Sequence, residues 1–210
     1  VAFNGAGTAN SGVGYWNTSA VTSMKRMFAS ASALNPIIDS GDRSWGVWNT
    51  LAVKDMEEMF LGASLFNGGV GNWNTSSVTS MARMFNNATN FNNNNVSTLD
   101  WDTSSVVDMN SMFQGASYMD LSIVSWNVAQ VTDMRNMFAQ VTPFKADITV
   151  WNSSVSYENA TGMFVDVDFW PLMFKRFDEL PITDGPPNAF IQDCTNKEGV
   201  YASIDDFCVP

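Results

Sequence analysis

The 210-residue chain carries 10 basic and 21 acidic side chains, no histidine and a formal net charge of -11. That size holds one or two ordinary domains, or one repeat array with a real core. The acidic balance argues against nucleic acid, whose phosphates need basic partners. No run of apolar residues is long enough to span a bilayer. Without histidine, Ser-His-Asp and Cys-His catalysis are excluded within this chain, and with only two cysteines most zinc sites are excluded as well.

Charged residues make up only 15% of the chain, and Asn, Ser and Thr supply much of its polarity with 59 residues. A repeat dominates the order in which they occur. Segments begin at Trp16, Trp48, Trp73, Trp101, Trp126 and Trp151, at intervals of 32, 25, 28, 25 and 25 residues. The third reads Trp73-Asn74-Thr75-Ser76-Ser77-Val78-Thr79-Ser80-Met81-Ala82-Arg83-Met84-Phe85, followed by Ala88 and Phe91-Asn92. The sixth reaches Met163-Phe164 one residue late. Two insertions precede a tryptophan: one from Asn35 to Trp48 that includes Trp45, and one holding Asn92-Asn93-Asn94-Asn95. The opening Phe3-Asn4 looks like the tail of an earlier repeat. With no initiator Met or signal peptide ahead of it, the sequence is expected to be a mature product or a piece of something longer.

Within a repeat, Val, Met, Met-Phe and Ala recur at i, i+3, i+6/i+7 and i+10, which predicts a short helix with one apolar face. Thr18-Ser19, Thr75-Ser76 and Thr103-Ser104 stand where hydroxyls would cap it. The β-branched stretch Ile148-Thr149-Val150-Trp151 predicts a short strand, pairing in parallel with the next repeat. The expected architecture is therefore an α/β solenoid over residues 1–165, each coil a short parallel strand plus a short helix. Residues 166–210 form an acidic C-terminal cap, with Phe169 to Phe177 as a capping helix that has Pro171 in its first turn.

The phrase Trp-Asn-Thr-Ser-x-Val-Thr-x-Met-x-x-Met-Phe-x-x-Ala-x-x-Phe-Asn resembles the repeats of BspA-like surface proteins, divergent relatives of leucine-rich repeats. The resemblance covers about residues 1–165. It implies a secreted or surface-attached leucine-rich-repeat-like solenoid with an adhesive or scaffold role, and it brings no catalytic residues.

The repeat-start tryptophans read as a core ladder rather than a sugar-stacking stripe. Trp45 breaks the period and is the candidate ligand contact, because contacts favour loops and aromatic rings. Asn17, Asn49, Asn74, Asp102, Asn127 and Asn152 form a column expected to be a structural ladder, bonding from coil to coil and to turn backbone. A calcium column is disfavoured there, since neutral amides are weak ligands. Asn-x-Ser/Thr acceptors occur at Asn17, Asn74, Asn87, Asn95, Asn152 and Asn159. Three coincide with the ladder, so Asn95, Asn87 and Asn159 are the expected glycan carriers. The paired methionines (Met81 and Met84, for example) read as core rather than copper ligands. Recurrent threonines read as caps rather than an ice-binding array.

Cys194 and Cys208 are expected to form a disulfide in a secreted setting. Asp166/Asp168 and Asp205/Asp206 hold a weak calcium possibility, with solvated acidic surface the preferred reading and no cofactor expected. Asp55, Asp108 and Asp133 are too few at matching offsets for a carboxylate-based glycan-cleaving centre and read as acids favouring the helix N-terminal region. The function expected is that of an extracellular structural or adhesive segment of a larger cell-surface or filament-forming glycoprotein, not an enzyme. Its expected partners are copies of itself or other surface proteins. The alternative is a carbohydrate-binding module built around Trp45.

Overall fold

The computed structural model describes residues 13–34 and 47–192. It overturns the α/β solenoid of strand-plus-helix coils. No helix among the described residues exceeds four residues, and their one sheet is a short antiparallel pair near the C-terminal end. The repeats are instead chains of tight turns laid side by side. Neighbours meet in parallel at single residues, Ser23 to Asp55 to Ser80 to Asp108 to Asp133, and again at Thr98 with Ser122.

The expected helix fails for a definite backbone reason. In the third repeat Arg83 and Asn87 have φ of 54° and 56°. The same two offsets are left-handed at Arg26 and Ser30, Glu58 and Gly62, Ser111 and Gly115, Asn136 and Gln140, and one residue late at Gly162 and Asp166. An α-helix needs an unbroken right-handed run, and a left-handed residue at every fourth position prevents it. The amide groups then alternate between two destinations. Met84, Asn86 and Ala88 donate to carbonyls three residues back, at 3.1, 3.2 and 2.9 Å. Arg83, Phe85 and Asn87 donate to Asn110, Met112 and Gln114 of the next repeat, at 2.8, 2.9 and 2.7 Å. A left-handed non-glycine residue costs about 1–2 kcal/mol. Lateral bonds worth roughly 0.5–1.5 kcal/mol each, together with the ring burial they enforce, offset that cost.

The expected strand ahead of each tryptophan is also a turn. Trp73, Trp126 and Trp151 each donate their backbone N–H to the residue three back (Val70, Ile123 and Ile148) at 3.1 Å. Those β-branched side chains are fully buried, so they fill the core rather than a sheet.

Stacked rings make that core. The repeat-start tryptophans lie face to face from Trp16 to Trp151, with successive centroids 5.9, 5.7, 6.3, 6.2 and 6.3 Å apart. Trp48, Trp73, Trp101, Trp126 and Trp151 are only 2–4% exposed, which leaves no tryptophan stripe for sugar. A second file runs Phe28, Phe60, Phe85, Phe113, Phe138 and Phe164 at 5.6, 5.5, 5.7, 6.0 and 6.1 Å. Phe66, Phe91 and Phe144 pack on it at 3.8, 3.7 and 4.1 Å. Each such pair adds about 0.5–1.5 kcal/mol beyond its area burial. Met81 and Met84 and their equivalents in the second, fourth and fifth repeats are fully buried between these files.

The capping helix is shorter than expected. Helix α1 (Trp170–Met173) is one turn long, with Pro171 at its start. Strand β1 (Phe174–Arg176) pairs antiparallel with β2 (Phe190–Gln192), Lys175 opposite Ile191. Trp170 stacks on Phe164 at 4.5 Å and so carries the ring file one step further. Phe174 stacks on Trp170 in turn at 4.1 Å, and Phe190 meets Phe164 and Trp170 edge-on, at 76° and 75°.

Gly115 tests the left-handed requirement. Its φ is 72°, and a Cβ there would run into Asn87 Oδ1 of the preceding repeat. Gly115→Ala is expected to destabilise the fold by about 1 kcal/mol or more in urea unfolding. The loss should be smaller in an Asn87→Ala background, where only the backbone penalty remains.

Candidate functional site

The asparagine column lies on the outer edge of the turns. Asn17, Asn49, Asn74, Asp102, Asn127 and Asn152 are all exposed. Asn17, Asn49, Asn74 and Asn127 accept through Oδ1 the backbone N–H two residues on, each at 3.1 Å, and Asp102 does the same at 3.0 Å. In three repeats the serine hydroxyl two residues on donates to the same oxygen: Ser19 and Ser76 at 2.7 Å, Ser104 at 2.6 Å. These bonds lie within one repeat, so the coil-to-coil half of the ladder reading is corrected. The column shapes turns in the manner usual for Asn and Asp.

The threonine one position further along adds side-chain bonds that cross between repeats. Thr18, Thr50, Thr75 and Thr103 are buried, and their hydroxyls donate to the carbonyls of Asn49, Asn74, Asp102 and Asn127 at 3.0, 2.9, 2.8 and 2.9 Å. The sequence shows this column plainly, and its expected capping role falls with the helix.

A second column carries the repeat's acids. Asp55, Asp108 and Asp133 each accept the N–H two residues on, at 2.9, 2.9 and 3.0 Å. Ser23 and Ser80 play the same part in the first and third repeats. These acids therefore fix turns and head no helix. Burial pushes the Asp108 carboxyl above its ordinary range against the Asn110 N–H, and Asp133 adds to the rise. Asp133 is itself raised by burial, but Arg135 beside it prevails and leaves it lowered. Three repeats share an ion network: Arg83 bridges Glu57 at 2.9 Å and Glu58 at 2.7 Å, Arg26 reaches Glu58 at 3.3 Å, and Lys25 pairs with Glu57.

The insertion that holds the asparagine run is built into the stack. Asn93 is buried. Its Oδ1 accepts from the Val70 and Gly71 amides at 2.9 and 3.1 Å, while its Nδ2 donates to the Thr98 carbonyl at 2.9 Å. Asn93, Asn94 and Asn95 are all left-handed, and Asn95 is exposed at the surface. Asn87 is exposed, but its Nδ2 donates to Asn86 Oδ1 at 2.7 Å. Asn159 is half-buried, and its carbonyl accepts the Met134 N–H at 2.8 Å. Trp45, Cys194, Cys208, Asp205 and Asp206 lie outside the described residues. Among the described residues no group of three or more His, Cys, Asp or Glu is placed to hold a metal ion, and no helix is long and apolar enough to cross a membrane.

The cap contains functional groups that the sequence reading did not single out. The Asp184 carboxylate accepts the Tyr157 hydroxyl and, at 2.7 Å, the Gly162 N–H. Phe164 donates to the Thr183 carbonyl at 2.8 Å, and Gly185 donates to the Ala160 carbonyl at 2.8 Å. Residues 183–185 thus stand in for a seventh repeat. Arg176 holds them: its guanidinium donates to the Asp184 and Gly185 carbonyls and pairs with Asp178. Arg176 holds the Asp178 carboxyl below its ordinary range.

Asp108 yields a pH test. A folded-state carboxyl that is raised opposes folding once ionised and costs nothing when protonated in both states. Asp108→Asn keeps the oxygen that accepts the Asn110 amide and loses the charge. Its urea midpoint should exceed the parent's at pH 7, and the gap should close as pH falls through the carboxylate range near about 4.

No curated protein matches this chain, and no solved structure does. A family profile described as "Mycoplasma protein of unknown function, DUF285" matches residues 1–98, 37–151 and 68–174. The three matches overlap, as they must when one profile is laid repeatedly along a repeated sequence. The chain belongs to the DUF285 family.

Proposed function

We propose that this chain is a cohesive, non-enzymatic segment of a larger extracellular or cell-surface protein, working through contacts with copies of itself or with other surface chains. The observation that carries this reading is the ring file from Trp16 to Trp151, with lateral amide bonds joining each repeat to the next. A chain so joined resists being drawn apart at any one repeat, because every repeat relies on its neighbours. The outer edge is hydrogen-bonding and rich in Asn, Ser and Thr, with Asp102 its one acid in the asparagine column. The resemblance to BspA-like surface repeats points the same way. In this reading the protein is secreted or surface-attached and needs no cofactor. Burial of the repeat tryptophans leaves Trp45 as the residue on which a carbohydrate-binding alternative would turn.

The test is adhesion by the folded chain immobilised on beads and offered to intact cells and to cell-wall fractions of its source. Retention on cells that survives competition by free sugars, but is lost to excess soluble chain, is the expected outcome. Retention abolished by a simple sugar and by Trp45→Ala would replace the adhesive reading with the carbohydrate one. No retention on either material would retire both.

A further inference from the structure

We infer that Asn17, Asn74 and Asn152, on the exposed edge of the turns, are N-glycan acceptors of this chain, and that Asn87 and Asn159 are not. The inference rests on the extracellular reading above and narrows it to particular atoms. All three lie in acceptor triplets: Asn17-Thr18-Ser19, Asn74-Thr75-Ser76 and Asn152-Ser153-Ser154. All three side chains are exposed. In Asn17 and Asn74 only Oδ1 is engaged by the turn, accepting from the serine two residues on. The nitrogen that would carry the sugar takes no part in those bonds. The middle residue of each triplet is buried, Thr18 and Thr75 at 3% and 1% exposure and Ser153 at 8%. A glycan on the asparagine therefore displaces nothing in the core.

Placement along the stack fits bulky substituents. The tryptophan before each acceptor marks its level. Trp16 and Trp73 are two ring steps apart, of 5.9 and 5.7 Å, and Trp73 and Trp151 are three steps apart, of 6.3, 6.2 and 6.3 Å. Glycans on adjacent levels would crowd each other. The levels between are occupied by Asn49 followed by Thr50-Leu51, Asp102, and Asn127 followed by Val128-Ala129. None of these is an acceptor. By contrast, Asn87 commits its Nδ2 to Asn86, and its Oδ1 lies where a side chain on Gly115 would be. Asn159 is half-buried within the 3-10 turn Tyr157–Ala160, against the cap.

The transfer needs a polyprenyl-diphosphate-linked oligosaccharide as co-reactant. The asparagine Nδ2 forms a bond to the sugar C1 as the C1–O bond to the diphosphate breaks. Nδ2 gives up one proton, and the polyprenyl diphosphate leaves with the bonding electron pair. No oxidation state changes.

The test uses native protein recovered from its source, with its cellular location established in the same preparation by fractionation. Peptide N-glycosidase digestion in 18O-water converts each occupied asparagine to a mass-labelled aspartate. Label at Asn17, Asn74 and Asn152, and none at Asn87 or Asn159, is the expected result. An Asn74→Asp chain, which keeps the turn's Oδ1 acceptor as Asp102 does at the same place in its own repeat, should lose the mass of one glycan in a secreting eukaryotic host while keeping its urea midpoint. Secreted protein unlabelled at these three positions would overturn the glycan inference and leave the adhesive reading standing. Protein confined to the cytosol would overturn both. Label at Asn87 or Asn159 would contradict the argument from committed side chains.

Discussion

The fold depends on one arrangement of amide groups. In each repeat every second N–H of the Met-Phe segment finds its acceptor in the next repeat rather than in its own chain turn. A repeat removed from its neighbours would leave those donors without partners, at roughly 1–3 kcal/mol for each buried group. The left-handed residues make the arrangement possible: they turn alternate amides sideways and hold the bulky Met, Phe and Trp side chains inward on one level. The ring files follow from it, since lateral bonding sets the spacing at which successive rings lie face to face.

Such a stack has to be ended as well as built, and the cap shows what ending requires. The last repeat presents the same outward amides as the others, from Gly162 and Phe164. They are met by one carboxylate oxygen of Asp184 and one carbonyl of Thr183, held in place through Arg176. The ring file runs on through Trp170 to Phe174, with Phe190 edge-on to Phe164 and Trp170. Of the acids and aromatics after Phe164, Asp184 serves the first task and Trp170, Phe174 and Phe190 the second.

Much of this was legible in the sequence, and the part that was not has a physical cause. The 25-residue period, the drift in the sixth repeat, the inward tryptophans and methionines, and the change of character after Phe164 all follow from residue type at fixed offsets. The helix did not, because tight turns bring an apolar residue inward about every third position, close to the helical period of 3.6. Val78, Met81, Met84 and Ala88 satisfy either pattern. The distinguishing signal was the pair of offsets occupied by Arg83 and Asn87, where Gly, Asn and Ser recur in other repeats (Gly62, Gly115, Gly162, Asn136, Ser30). Gly and Asn tolerate positive φ, but Ser30, Ser111, Arg26, Glu58 and Arg83 at these offsets concealed the requirement. With no helix to cap, Thr75 bonds across to Asp102, and Asn74 stays on the surface.

The most direct test of this account is the through-hydrogen-bond scalar coupling between amide nitrogens and carbonyl carbons in isotopically labelled protein. The account predicts that Phe85 N couples to the Met112 carbonyl and Asn87 N to the Gln114 carbonyl, both in the following repeat. Coupling of Phe85 N to the carbonyl of Met81, four residues back, would mean a helix after all and would contradict it.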